Sequence, residues 1–305
     1  MMASDEMMAY RGPAYAKNNQ RRRFLIIGAL VVIVTIIVVS TVATKDRKEA
    51  EAAAREADEV AEDRGQLRQL INVALDHVGI DSGPIDIENS YQSDAFKWLS
   101  SDQDLANYQR SEVVQRFALA CFFYATNSIN TLYTPSPRPW KQKTNWLSNQ
   151  NECSWQGIQC SSSKKVNRII LEKNYLSGNL PFELALLRDH LLILSLTGNQ
   201  LFIEGTDWDV FTKLTNLEQI LIDDNFLSSA RGIPSSLGHC TRLQKLRLSY
   251  NLIGGPIDGP VLRDLTQLTH LEIESNFLEG TIPDTIGRME QLAYLYLRRN
   301  DLHSS

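Results

Sequence analysis

The sequence predicts an α/β solenoid, a right-handed horseshoe of about six turns, preceded by an α-helical region and a membrane-crossing helix. The pattern L-x-x-L-x-L-x-x-N-x-L recurs with its asparagine at 174, 199, 225, 251, 276 and 300, so the intervals are 25, 26, 26, 25 and 24 residues. Between these asparagines a second apolar pair returns at matching offsets, as Leu184/Leu187, Phe211/Leu214, Leu237/Cys240, Leu262/Leu265 and Ile286/Met289. Ahead of them, the 20 residues from Phe24 to Ala43 carry no charge. A unit of this length cannot bury its apolar face alone but a stack of them can. Function is therefore expected on an extended surface rather than in a catalytic cleft.

From the N-terminus, the apolar run is long enough as a helix to cross the hydrocarbon core of a bilayer, about 30 Å. The span is placed at 24–44, which leaves 1–23 as a short tail. A cleaved signal peptide is the rival reading, because Thr41 and Ala43 are small residues at cleavage offsets. The run exceeds the usual length of about 7–15 residues, so an uncleaved signal anchor is preferred. Residues 45–66, rich in Ala, Glu, Asp and Arg, read as a charged helical stalk, with Glu51 and Arg55 a supporting i,i+4 pair. Val60, Leu67, Ile71, Ala74 and Val78 make a heptad stripe, but Arg64 interrupts it and it is too short to favour a dimeric coiled coil.

The run Gly79-Ile80-Asp81-Ser82-Gly83-Pro84 ends that helix. Residues 67–139 are assigned to a helical extension and a Pro-rich connector. Within them Ala95, Phe96, Trp98 and Leu99 cluster, and Ser111 is placed as the cap of a helix that buries Val113, Phe117, Ala120, Cys121 and Tyr124. Thr134 to Pro139 is a stiff connector with three prolines.

The repeats fill 166–305, the last of them incomplete. Alternation within L-x-L points two side chains inward on a strand. The ladder asparagines, Asn174, Asn199, Asn225, Asn251, Asn276 and Asn300, follow at the bend, where an amide can serve backbone groups that the curve strips of partners. This is the pattern of a leucine-rich repeat.

The chain resembles plant-type leucine-rich repeat receptors and receptor-like proteins, whose repeats add a G-x-I-P element after the asparagine turn. It stands here as Gly178-Asn179-Leu180-Pro181 and Gly280-Thr281-Ile282-Pro283, more weakly as Arg231-Gly232-Ile233-Pro234, and with aspartate for proline in Gly255-Pro256-Ile257-Asp258. The second repeat departs from it over Phe202 to Asp209, either as drift or as a contact loop, and drift is favoured. Residues 140–165, with Trp140, Trp146 and the run Cys153-Ser154-Trp155-Gln156-Gly157-Ile158-Gln159-Cys160, are similar to the family's N-terminal cap. The resemblance implies a structural disulfide between Cys153 and Cys160. By themselves, two cysteines seven apart also read as a chance pair or half of a metal site. Cys121 and Cys240 fall at apolar positions and read as buried free thiols.

An oxidised cap requires an oxidising compartment. Positive charge barely discriminates the two sides of the span, with Arg11, Lys17, Arg21, Arg22 and Arg23 before it and Lys45, Arg47, Lys48 and Arg55 after it. The cysteine pairing therefore sets the orientation. The expectation is a single-pass type II protein of the plasma membrane, with a cytoplasmic tail over 1–23 and the repeats outside the cytosol.

The net charge of −5 and the lack of a basic stripe argue against nucleic acid. The five histidines are dispersed, and no zinc-protease, P-loop, G-x-S-x-G or kinase signature is present, so no enzyme and no cofactor are expected. His270, Glu272 and Glu274 share a strand face, but their spacing of about 7 Å per step is too wide for a tight metal site. No Asn-x-Ser/Thr sequon occurs.

Outward strand positions are the candidate recognition residues: Lys245, Arg247, His270, Glu272, Glu274, Tyr294, Tyr296 and Arg298, with the rows from Arg168 to Asp223 and Ser249 as weaker members. Tyrosine and arginine are favoured at binding hot spots. The expected function is membrane-anchored, receptor-like recognition of a protein, peptide or glycan ligand, with the bilayer engaged through one helix and the oligomeric state left open. A truncated receptor-kinase ectodomain and a structural or adhesion protein are the alternatives, the former because the chain stops three residues after Leu302.

Overall fold

The computed structural model describes residues 45, 47, 48, 62–127, 138–257 and 259–303. The chain divides into two units, Met1–Gly65 and Gln66–Ser305. In the first, the described residues are helical. The tail, the apolar span 24–44 and most of the stalk lie outside the described residues, as does the connector up to Pro137. Among the described residues no helix is long and apolar enough to cross a membrane.

The second unit begins with helix α1 (66–78), whose Leu67, Ile71, Leu75 and Val78 are buried at spacings of four, four and three. Of the residues that resembled a heptad seam, Leu67, Ile71 and Val78 are thus covered within this unit, while Ala74 is half-buried and Val60 lies outside the described residues. The helix stops in a Schellman motif: Gly79, at φ 70°, donates to Asp76 O and Ile80 donates to Leu75 O, both at 3.0 Å.

Helix α2 (Tyr91–Ser100) is capped by Ser90, whose hydroxyl accepts from Ser93 N–H at 3.0 Å. Helix α3 (Arg110–Thr126) corrects the sequence reading. Ser111 is not its cap but lies in its first turn. Gln109 is the cap, and the Glu112 carboxylate reaches back to accept from Gln109 N–H at 2.9 Å. Val113, Phe117, Ala120 and Cys121 are buried as the spacing implies, while Tyr124 is half-buried. Ala118, Leu119, Phe122 and Phe123 are buried too, because α3 packs on α1 and α2 with one face and on the start of the solenoid with the other.

The strands follow in chain order: β1 (Ile158–Cys160), β2 (Val166–Ile170), β3 (Ser177–Gly178), β4 (Ile193–Ser195), β5 (Gln200–Leu201), β6 (Gln219–Leu221) and β7 (Ser228–Ser229). After these come β8 (Lys245–Arg247), β9 (Leu252–Pro256), helix α4 (Gly259–Asp264), β10 (His270–Glu272), β11 (Phe277–Gly280), β12 (Tyr294–Tyr296) and β13 (Asp301–Leu302). One sheet has the order β1-β2-β4-β6-β8-β10-β12, parallel throughout except for β1, which runs antiparallel to β2 and covers that edge. Ile169, Leu194, Ile220, Leu246, Leu271 and Leu295 lie side by side in it. A lateral sheet, β13-β11-β9-β7, and the pair β3-β5 form after the asparagine turns.

On the convex side the returning chain makes short helical segments at Phe182–Leu187, Gly205–Thr212, Ser235–His239, α4 and Ile286–Arg288. Their apolar pairs are buried from Leu184 through Leu265, and Ile286 and Met289 are partly buried at the last turn. The irregular second turn feeds this layer through its apolar residues, while Glu204, Gly205, Thr206 and Asp209 stay exposed. Trp208 is buried and its indole N–H donates to Ser228 O at 2.9 Å.

Each turn is closed by its asparagine. Asn225 Nδ2 donates to Leu196 O (3.1 Å), Ile222 O (3.3 Å) and Asp223 O (3.0 Å), while its Oδ1 accepts from Leu201 N–H at 3.0 Å. Asn199, Asn251, Asn276 and Asn300 repeat the scheme, each reaching back to the preceding turn. The residue before each ladder asparagine, from Lys173 and Gly198 to Arg299, is left-handed, with φ between 51° and 74°. Gly255 has no alternative residue: at φ 89° a Cβ would stand 2.5 Å from Ala230 O.

Where the helices meet the first turn, charged groups are buried. Arg116 is fully buried, pairs with Asp102 (3.0 Å) and Glu152 (3.4 Å), donates to Ser148 O (2.7 Å) and Gln150 O (3.0 Å), and lies against the rings of Trp98, Tyr108 and Trp155. Glu183 is buried on the segment Phe182–Leu187 beside Tyr91 and Gln92 of α2, and its Oε2 has no partner. Burial raises its carboxyl above the ordinary value against the opposing hydrogen bonds. The Tyr91 phenol and the Cys121 thiol, both facing it, are raised chiefly by burial and further by Glu183.

Two outcomes follow. Asn225→Leu should lower stability by about 1–3 kcal/mol, since it orphans buried backbone groups in two turns, and urea unfolding of the variant reads this directly. A raised carboxyl means that the folded state binds more protons than the unfolded state between the ordinary and the raised value. Glu183 therefore makes stability fall as pH rises through that window. In Glu183→Gln the urea midpoint should lose that decline, and an unaltered pH profile would show that this carboxyl is ionised in the fold.

Candidate recognition face

The parallel sheet sets the candidate residues in columns. Register places His270 between Lys245 and Tyr294, and Glu272 between Arg247 and Tyr296. Their central neighbours Leu246 and Leu271 are buried, so the flanking positions turn away from the core. Glu274 and Arg298 follow at the next outward position. Strands at about 4.8 Å make these columns continuous across turns.

Within the columns the groups are not independent. Arg247 pairs with Asp223 at 3.0 Å and Glu272 at 3.3 Å. Asp223 also accepts from Ser249 N–H at 2.9 Å and from the Thr197 hydroxyl at 3.3 Å. Burial still raises its carboxyl above the usual range, with Arg247 acting in the opposite sense. Arg247 and Glu272 are thus paired with one another on the face rather than standing as separate charges. Three of the weaker sequence candidates, Ser195, Asp223 and Ser249, are buried within the face and serve it structurally.

The outward groups that remain are Lys245, His270, Glu274 and the tyrosines, with Tyr294 48% and Tyr296 43% exposed. The His270 ring stacks on Tyr294, centroids 4.2 Å apart and 20° between planes, and its Nδ1 is 2.8 Å from the Thr269 hydroxyl. That stacking presents a flat π surface beside polar groups, a combination suited to grasping a partner by both contact area and hydrogen bonding. Among the described residues no group of three or more His, Cys, Asp or Glu is placed to hold a metal ion.

At the other end of the sheet, Cys153 and Cys160 are joined in a disulfide next to β1. Trp140, Trp146 and Trp155 pack with Phe122 and Phe123 of α3 behind it. Gln115 of α3 bridges the same region, donating to Glu152 at 2.6 Å and accepting from Val166 N–H at 2.7 Å. Cys121 and Cys240 are free and buried. Sequence reasoning missed Arg116, Glu152 and Glu183 because a charged letter carries no mark of burial. The signal available for Arg116 was its place inside an otherwise apolar run from Val113 to Tyr124.

Residues 241–302 match the family model for the leucine rich repeat. The chain is 30% identical over 162 residues to Receptor like protein 21 of Arabidopsis thaliana, an alignment that covers 50% of this chain and 16% of that protein. To Phytosulfokine receptor 1 of the same plant it is 30% identical over 202 residues, 60% of this chain and 19% of that one. The chain thus spans less than a fifth of either relative's length. Among solved structures, the BIR3–SERK2 complex from Arabidopsis thaliana aligns with 61% of this chain and 96% of its own at 24% identity, with a TM-score of 0.47. By its parallel strands, its asparagine turns and the family match over 241–302, the repeat region is a leucine-rich repeat solenoid.

Proposed function

We propose that the chain is a membrane-anchored, receptor-like leucine-rich repeat recognition protein. It binds a protein, peptide or glycan ligand through the concave sheet at its fourth to sixth turns. The observation that carries this reading is the joined outward surface of Lys245, His270, Tyr294, Tyr296 and Glu274, rigid because the turns beneath it are packed and hydrogen-bonded. Similarity to proteins named as receptors supports it.

Residues 140–165 act as the N-terminal cap of the plant-type family. The Cys153–Cys160 disulfide supports exposure to an oxidising compartment and hence a type II arrangement at the plasma membrane, anchored by 24–44. Arg298 and the pair Arg247–Glu272 complete the site, the latter holding the tyrosine columns in place.

Screening the region 66–305 against peptide and glycan arrays supplies a ligand for titration. Tyr294→Ala with Tyr296→Ala should weaken that ligand by at least about 2 kcal/mol with the urea midpoint unchanged, as aromatic anchors on a rigid face do. Equal affinities would remove the site from this face. Protease added to intact cells should digest the repeats from outside, and digestion only after permeabilisation would refute the orientation.

A further inference from the structure

Between the end of α2 and the loop 147–149 lies a cleft of about 250 Å³, built by the helical part and the cap and not by the strands of the recognition face. Trp98, Asp102, Gln103, Asp104, Leu147 and Asn149 are among its walls. It falls below the roughly 300–1,000 Å³ of pockets for drug-sized ligands and admits a molecule of one ring.

The cleft is fixed from within. The Asp102 side chain is only 6% exposed, its Oδ2 accepting from Arg116 Nη2 and its Oδ1 from Asp104 N–H, each at 3.0 Å. Arg116 also donates to Ser148 O at 2.7 Å, and Trp98 Nε1–H donates to Leu147 O at 2.9 Å. Leu147 sits at φ 56°, a left-handed backbone that these neighbours impose. The walls are thus in place before any ligand arrives.

Donors and acceptors stand together at the opening. The Asp104 carboxylate and the Asn149 amide lie side by side, Oδ2 to Nδ2 3.5 Å, at the long limit of a hydrogen bond. Gln103 is exposed and has no hydrogen-bond partner among the described residues. Trp98 has given its N–H to Leu147, so its ring offers apolar surface alone.

We propose that this cleft binds a single neutral hexopyranose unit of a glycan. Every hydroxyl of a sugar ring both donates and accepts. One donates to Asp104 while its neighbour accepts from Asn149, and the weak contact between those two side chains gives way to two full hydrogen bonds. Gln103 serves a further hydroxyl, and the C–H edge of the ring rests on Trp98. Charge narrows the class. A uronate is repelled by Asp104. A cation leaves the amide N–H groups of Asn149 and Gln103 with nothing to donate to, and Asp102 already has Arg116 as its counter-ion. The site is separate from the concave face and does not rest on the function proposed for it.

Saturation-transfer NMR with the purified full chain tests this, with the methyl glycosides of glucose, galactose and mannose and the corresponding uronosides as probes. At least one hexoside should bind in the millimolar range or tighter, and its uronoside at least about tenfold more weakly. Asp104→Ala with Asn149→Ala should weaken the hexoside at least about tenfold, since each removes a hydrogen bond to the ligand. Neither side chain is buried, so the urea midpoint should hold steady. Tyr294→Ala with Tyr296→Ala, on the concave face, should leave this binding unchanged. The proposal is overturned if none of the three hexosides binds, if hexoside and uronoside bind equally, or if arginine amide binds more tightly than any hexoside. Binding that survives loss of Asp104 and Asn149, or disappears with the two tyrosines, overturns it equally.

Discussion

The fold depends on one amide per turn. A solenoid must bend sharply at the end of every strand, and the bend buries backbone N–H and C=O groups that no strand can pair. Each such group left alone costs about 1–3 kcal/mol. The asparagine side chain carries the same donor and acceptor as the peptide it replaces, and in Asn225 it serves its own turn and the one before it. The rest is consequence: the left-handed residue before each asparagine, the shared register of the strands, and the rows of outward side chains that make a binding face.

The helical part is fixed to the solenoid by a different means. Arg116 and Glu183 are charges or potential charges taken out of water, a state tolerated only when partners surround them. Arg116 has two carboxylates, two carbonyls and three aromatic rings. Glu183 has a phenol and an amide beside it and one oxygen without a partner, and burial raises its carboxyl above the ordinary value. Arg116 of α3 reaches segment 148–152, while Tyr91 and Gln92 of α2 lie beside Glu183 on the first convex helix. The first turn is thereby gripped by helices as well as by β1.

The repeat was legible in the sequence because its geometry admits few residue types: inward leucines at strand spacing, an amide at each bend, glycine where Ala230 O approaches Gly255. The site was legible as a set of positions and illegible as a set of charges. Whether Arg247 is free or paired depends on register between strands some 25 residues apart, which relates it to Asp223 on one side and Glu272 on the other. The start of α3 shows the same limit locally. A hydroxyl at Ser111 is a standard cap signal, yet the Glu112 carboxylate reaching back to Gln109 decides where the helix begins. Phe277 and Leu252 resemble core residues in any count of apolar letters, and only the alternation on β9 and β11 turns them outward.

The asparagine bonds join each turn to its immediate predecessor and to nothing farther away, so the solenoid holds together as a chain of neighbours rather than as a single block. Pulled from its two ends, such a structure yields one turn at a time. Each event would release the contour of about 25 residues, some 80–90 Å at full extension. The first turn, clasped by β1, the disulfide and α3, would resist longest.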